Sequence, residues 1–289
     1  NVLNSSKESQ GVIHWMKFID SIGNFIGQSG RVPAMLMSLN ISHPDIKNFI
    51  TVKSDYTKIQ NANISVQITN DFMEAVKNNS TWKLIFEIPE VKIGDKVYVD
   101  VHSSDMDCLC DESGKYYKFA TKNRPYEKIE EIVNAKELLE LLAKNMLQNA
   151  EPGVQFIDMA KYWSNSDYVY DKESGYDSRI ISTNACSEQY LSRESLCVLA
   201  SINCGKFSVT DFDKELSIIA PSVNRFLDNV NEMEVRDSTY ATPHQRLAIN
   251  MLRRTGAGMT NLSGWLFKNN FEYGSVDGNK ALETFNERY

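Results

Sequence analysis

Residues 34–41 read AMLMSLNI, an apolar start with no charge anywhere in the run. A run of this kind reads as a buried strand, and continuous apolar strands are typical of sheets covered on both faces. Around it the period changes. Residues 8–28, ESQGVIHWMKFIDSIGNFIGQ, place Val12, Trp15, Met16, Phe18, Ile19, Ile22 and Phe25 at helical spacing. His43-Pro44-Asp45-Ile46 opens another helix, since Pro suits a first turn and Asp suits the positive end of the helix dipole. Ile64, Val66 and Ile68 alternate with Ser65, Gln67 and Thr69, the signature of a strand with one apolar face. Asp71 is placed to cap the helix FMEAVKN that follows. Residues 134–150 predict a helix capped by Asn134, with Leu138, Leu141, Leu142 and Leu147 on its face. Glu151-Pro152-Gly153 turns the chain into a short strand, VQFID. From about residue 215 the pattern is mostly helical. Helix and strand alternate through the middle, so the class is α/β. Residues 83–127 differ: short β-like runs (LIFEI, VYVDV) separated by polar turns predict an excursion of hairpins and loops.

Charge and cysteine usage limit the partners. With 31 basic and 38 acidic residues the net charge is -7, which disfavours a general nucleic-acid binder. A local site for a phosphate-bearing ligand remains compatible with that balance. No apolar run approaches the ~18 residues of a membrane span, and no signal peptide is visible at the first residues. Five cysteines, unevenly spread, do not form a secreted disulfide framework and fit a reducing cytoplasm. The first residue is Asn, so a longer parent chain is expected.

Four stretches carry candidate chemistry. Cys108-Leu109-Cys110 lacks the second pair that a structural zinc site needs, and no metal site is expected. Gly256-Ala257-Gly258 has Asn261 where a dinucleotide fingerprint has its third Gly, and a helix-like run before it, so close helix packing is the better reading. In the loop Gln28-Ser29-Gly30-Arg31, Arg31 suits a phosphate and Gln28 a base edge, although a solvated loop is at least as good a reading. The fourth stretch is NACSEQYLSRESLCVLASINCGKF, residues 184–207. Cys204, after an apolar run, fits a packed thiol. In an extended segment Asn184, Cys186 and Glu188 share one face. They offer an amide to orient a hydroxyl, a thiol to act on carbon and a carboxylate to take a proton. A neighbouring carboxylate disfavours a thiolate but leaves a neutral thiol able to lose a hydrogen atom. That points to radical chemistry ahead of acyl transfer, for which none of the four His lies near.

These residues resemble the ribonucleotide reductase large (catalytic) subunit. Asn184-Ala185-Cys186-Ser187-Glu188 is similar to its N-x-C-x-E motif, and Cys197 to Asn203 to its C-N-L-x-S-I-N segment, with Val198 in place of Asn. The likeness extends in order along the chain: Gln28 to Ala34, then His43-Pro44-Asp45-Ile46 with Phe49-Ile50 and Lys53, then Asn63 to Val66 and Asp71-Phe72-Met73. It continues through Pro152 to Asp158, Arg253 to Leu262 and Tyr273-Gly274-Ser275, and is weakest at 83–127.

The resemblance implies part of a ten-stranded α/β barrel, with residues 1–289 an internal portion of one catalytic domain. It implies that Cys186 becomes a thiyl radical and takes the ribose 3′-hydrogen. Glu188 would be the base for the 3′-hydroxyl, Asn184 would hydrogen-bond the ribose hydroxyls, and Cys197 would be one of two reducing thiols. Gln28, Ser29, Gly30 and Arg31 would lie in the loop linking a deoxynucleoside triphosphate effector to substrate choice, after a helix at a homodimer interface. The compact spacing from Cys186 to Cys197 favours an adenosylcobalamin-dependent enzyme over one whose radical comes from a metal-bearing partner subunit. A thioredoxin-like or glutaredoxin-like reductant is implied. The second reducing cysteine is expected upstream, but no cysteine precedes Cys108, and the phosphate-binding segment is expected beyond residue 289. Two other readings stand beside it. One is a nucleotide-binding or assembly module without activity of its own. The other is a cysteine hydrolase using Cys186, which a thiol titrating well below ~8.5 would favour.

Overall fold

A computed structural model describes residues 11–26, 30–31, 33–55, 57–86, 90–93, 96–100, 108–110, 116–119, 129–167, 176–207, 212–237 and 241–288. The chain divides into two compact units, one of residues 1–163 and 182–190, the other of 164–181 and 191–289.

The first unit contains α1 (Val12–Phe25), β1 (Met35–Asn40), α2 (Ile46–Thr51), β2 (Ala62–Ile68) and α3 (Asn70–Lys77). The excursion follows as β3 (Thr81–Phe86), β4 (Glu90–Ile93), β5 (Lys96–Asp100), β6 (Cys108–Cys110), β7 (Tyr116–Phe119) and β8 (Ile129–Asn134). Then come α4 (Ala135–Asn149), β9 (Gly153–Phe156) and α5 (Ile157–Trp163). Strands β1, β2 and β9 make a parallel sheet in that order, with Leu39 opposite Val66 and Gln67 opposite Gln155. The excursion is antiparallel throughout, as β3-β8 and β4-β5-β7-β6, which agrees with hairpins and places LIFEI and VYVDV partly on β3 and β5.

The alternation in β2 sorts its two faces. Ala62, Ile64, Val66 and Ile68 are buried in the core with Ile46, Phe49, Ile50, Phe72, Leu84 and Leu142. Each fully buried aliphatic or aromatic side chain of this kind stabilises by roughly 1.5–3 kcal/mol. Phe72 meets Trp82 edge to face, centroids 5.3 Å apart. The opposite face of β2 carries Asn63, Ser65 and Gln67.

Local expectations are corrected at three helices. The cap of α3 is Thr69, whose side chain accepts from Phe72 N; Asp71 sits inside the first turn, where it still favours the dipole. Asn134 does cap α4, accepting from Glu137 N at 3.0 Å, but Leu147 is exposed because it lies off the Leu138–Leu142 face. In α1 the buried residues are Met16, Asp20 and Gly23, spaced four and three apart. Trp15, Phe18, Ile19, Ile22 and Phe25, the larger apolar stripe, are exposed on the other side. Gly23 allows the approach, since a Cβ there would stand 2.3 Å from Met35 Cε.

Asp45 precedes α2 but its carboxylate makes no cap bond to that helix; Oδ2 accepts from Val12 N at 2.9 Å and so caps α1. Beside it, His43 Nδ1 accepts from Asp45 N at 3.0 Å. Burial pushes the His43 imidazole below its ordinary value of 6.5, against the opposing charge of Asp45. The folded state therefore favours neutral His43, and the unfolded chain binds the extra proton first as pH falls. This stabilisation is present above the unfolded value of about 6.5 and is lost as pH falls through the lower folded value. A His43→Asn protein, which keeps an acceptor for Asp45 N, is expected to lose less melting temperature than the wild type between about pH 7.5 and 5.5. Equal losses would refute the assignment.

The second unit contains β12 (Val198–Asn203), α6 (Phe212–Asp237), α7 (Pro243–Leu252), β13 (Thr255–Thr260), α8 (Leu262–Lys268) and α9 (Val276–Arg288). Before β12 the chain forms β10 (Ile180–Thr183) and β11 (Tyr190–Ser192), which pair with each other. Strands β12 and β13 are parallel, with Leu199 opposite Gly256 and Ser201 opposite Gly258. The glycine pair thus lies in a strand, not in a helix contact. The helix before it ends at Arg253, in left-handed conformation (φ 42°), and the chain straightens into β13. Thr242 and Gln245 close a capping box at the start of α7. Among the described residues no helix is long and apolar enough to cross a membrane.

Candidate active site

The Asn184–Glu188 segment is a loop at the end of β10 that turns into β11, so its side chains do not alternate as in an extended stretch. Ser187 N donates to Asn184 O at 3.1 Å, and Asn184 N donates to Gln189 O at 3.1 Å. Asn184 Oδ1 accepts from Gln189 N at 3.1 Å. Ser187 takes a left-handed conformation, φ 63°. The turn still brings two of the predicted groups, Asn184 and Glu188, together. Asn184 Nδ2 donates to Glu188 Oε1, so the amide holds the carboxylate directly. Cys186 lies between them and is exposed. Asn184 thus does more than face a substrate: it fixes Glu188, and one Nδ2 hydrogen remains for a ligand.

The turn rests on the polar face of the parallel sheet. Asn63 Nδ2, from β2, donates to Ala185 O at 2.9 Å. Ser38 and Ser182 hydroxyls are 2.7 Å apart, and Gln155 Nε2 donates to Thr183 Oγ1 at 2.8 Å. None of these partners stood out in the sequence. The available signals were the polar positions of β2 and a Gln, only 1% exposed, inside VQFID.

Cys197 belongs to the second unit and immediately precedes β12; it is half-buried, with Sγ 3.9 Å from Val198 O. Cys204 is wholly buried in the core of that unit with Ile202, Phe207, Leu216, Trp265, Leu266 and Phe285, and burial pushes its thiol up. The packing reading of Cys204 therefore holds. Cys204→Ala is expected to lower stability by about 1–2 kcal/mol through a small cavity, and to leave turnover within about twofold of wild type. Loss of turnover in a folded Cys204→Ala protein would overturn that role. Gln28 and Ser29 lie outside the described residues. Gly30 and Arg31 are exposed, and Gly30 has φ 83°, a conformation that strains any residue with a Cβ. The side chains of Cys108 and Cys110 likewise lie outside the described residues. Among the described residues no three His, Cys, Asp or Glu side chains cluster as they would around a metal ion.

The chain belongs to the ribonucleotide reductase family: the pattern of its barrel domain matches residues 1–288. It is 27% identical to a vitamin B12-dependent ribonucleoside-diphosphate reductase of Thermoplasma acidophilum, over 96% of this chain and 31% of that protein. It is 26% identical to a vitamin B12-dependent ribonucleotide reductase of Streptomyces coelicolor, over 97% of this chain and 27% of that protein. It is 23% identical to a ribonucleoside-diphosphate reductase subunit alpha of Synechocystis, over 98% of this chain and 35% of that protein. The chain spans about a third or less of the length of these relatives.

Proposed function

We propose that the protein of which this chain is a catalytic portion reduces ribonucleotides to deoxyribonucleotides through a thiyl radical on Cys186. The observation that carries this reading is the turn itself: an exposed thiol flanked by a carboxylate that an amide holds in place. The Cys186 sulfur takes the ribose 3′-hydrogen, forming S–H and leaving the radical on carbon. Glu188 accepts the 3′-hydroxyl proton, and the 2′-hydroxyl takes a proton from one of the two reducing thiols and leaves as water. Cys197 and a second thiol supply two electrons and the hydrogen that the 2′ carbon gains, and become a disulfide; Glu188 returns its proton to the 3′ oxygen and Cys186 its hydrogen atom to the 3′ carbon. A thioredoxin-like or glutaredoxin-like dithiol then reduces the disulfide.

The cofactor on this reading is adenosylcobalamin, in keeping with the names of the Thermoplasma and Streptomyces relatives. Its chemistry when bound is the supply of a radical equivalent. Cys186 is the residue that would face it, and the thiol's exposure at the head of a turn suits a radical source arriving from outside the unit. Turnover of the complete gene product with adenosylcobalamin and a dithiol reductant, and no partner subunit, is expected; strict dependence on a metal-bearing partner subunit would refute this choice. The ten-stranded barrel is the fold to which the parallel sheets are assigned. The exposed stripe Trp15, Phe18, Ile19, Ile22 and Phe25 supports a homodimer interface on α1. Gln28 to Arg31 are assigned to the loop that reports a deoxynucleoside triphosphate effector. A reducing cytoplasm suits the exposed thiol of Cys186. The test of the whole reading is Cys186→Ser in the complete gene product, which must stop deoxynucleotide formation.

A further inference from the structure

A thread of side-chain hydrogen bonds crosses the polar face of the parallel sheet and ends inside the Cys186 turn. Gln67, on β2, donates through Nε2 to Ser38 Oγ at 3.2 Å and to Gln155 Oε1 at 3.5 Å. Gln155, on β9, donates through Nε2 to Thr183 Oγ1 at 2.8 Å. The Thr183 hydroxyl donates in turn to Ser187 Oγ at 3.2 Å. The donors run in one direction, from the sheet to the turn, because each amide nitrogen gives and each next oxygen receives. The last member, Ser187, is the residue between Cys186 and Glu188, and it is the one in left-handed conformation.

We propose that Gln155 and Thr183 are positioning residues for the reacting turn. The proposal rests on the reading of Cys186 and Glu188 as reacting groups. A residue with a Cβ persists at positive φ only where its surroundings over-determine it. Ser187 is exposed and has no core packing to do this. The bonds from Asn184 close the turn internally, and Asn63 ties its Ala185 carbonyl to β2, but neither reaches the side chain of Ser187. Gln155 supplies a fixed reference, since it is only 1% exposed and sits in register with Gln67 in the sheet. The Gln155–Thr183–Ser187 bonds thus carry the rigidity of the sheet to the position between the thiol and the carboxylate. A misplacement of about 1 Å at a reacting group can lower turnover on the order of 10²-fold.

The test compares Thr183→Val, Thr183→Ser and Ser187→Ala in the complete gene product supplied with adenosylcobalamin. Thr183→Val keeps the shape and removes the hydroxyl that both accepts and donates. It is expected to lower kcat about 10–100-fold and to leave KM within about twofold, with Thr183→Ser restoring most of the loss. Ser187→Ala removes only the final acceptor from an exposed position, so the protein folds, and kcat is expected to fall in the same sense. It decides the matter if Thr183→Val does not fold. Wild-type kcat in the folded variants, or a rise in KM with kcat unchanged, would overturn the positioning role. The Cys186→Ser protein separates the two claims. If it retains turnover, the functional reading fails. If it is inactive while Thr183→Val and Ser187→Ala turn over normally, positioning alone fails.

Discussion

Cys186→Ser in the complete gene product is expected to reduce deoxynucleotide formation on the order of 10³-fold or more, to the assay background, as for removal of a group that reacts covalently. The substitution exchanges one small exposed side chain for another, so the fold and nucleotide binding are expected to survive. What disappears is the hydrogen-atom chemistry: a hydroxyl holds its hydrogen too strongly to relay it to and from a ribose carbon. Chromatographic detection of deoxynucleotide product, alongside a binding measurement for the ribonucleotide, separates the outcomes. Bound substrate without product in the variant supports the reading. Retained product in the variant refutes it. Bound nucleotide without product in the wild-type gene product, supplied with adenosylcobalamin and a dithiol, favours a binding or assembly module.

Asp20→Ala is expected to cost about 3 kcal/mol or more, the largest effect on stability of any single change considered. Asp20 is only 6% exposed, yet it carries a carboxylate. Its oxygens accept from the backbone N–H groups of Gln60, Asn61 and Ala62 at 3.1, 2.9 and 3.0 Å. It thereby ties α1 to the start of β2. Truncation removes the acceptor of three backbone donors: that of buried Ala62, left unsatisfied, costs roughly 1–3 kcal/mol, and those of exposed Gln60 and half-buried Asn61 each lose a bond to a charged group. Asp20→Asn keeps one acceptor oxygen and is expected to fall between wild type and Ala. Denaturant titrations of the three proteins measure the difference. An Asp20→Ala cost within about 0.5 kcal/mol would place it among ordinary surface substitutions and refute the clamp.

The two sites differ in how far local patterning exposed them. The Cys186 motif was legible because a thiol, an amide and a carboxylate within five residues is an uncommon combination. Its geometry was misjudged: the turn, and not strand alternation, brings Asn184 onto Glu188. Asp20 showed nothing, since one acidic residue in an amphipathic helix normally marks the solvent face. There Met16 and Gly23 face the core with Asp20 while the larger apolar stripe stays outside. Helical periodicity reports that a face is apolar, but not which surface covers it.

By itself the sequence determined the α/β class, the period of β2, the cap of α4 by Asn134, the hairpins of the excursion and the motif around Cys186. These depend on nearest neighbours along the chain: alternation, capping chemistry and turn formers. Only the tertiary structure decided that Asp45 caps α1, that Asp20 grips β2, that Gly256 and Gly258 lie in a parallel strand, and that Gln155 reaches Thr183. Those contacts join residues 28 to 57 positions apart. Hydrogen-bond partners at that separation are set by how sheets and helices stack, and no local pattern encodes them.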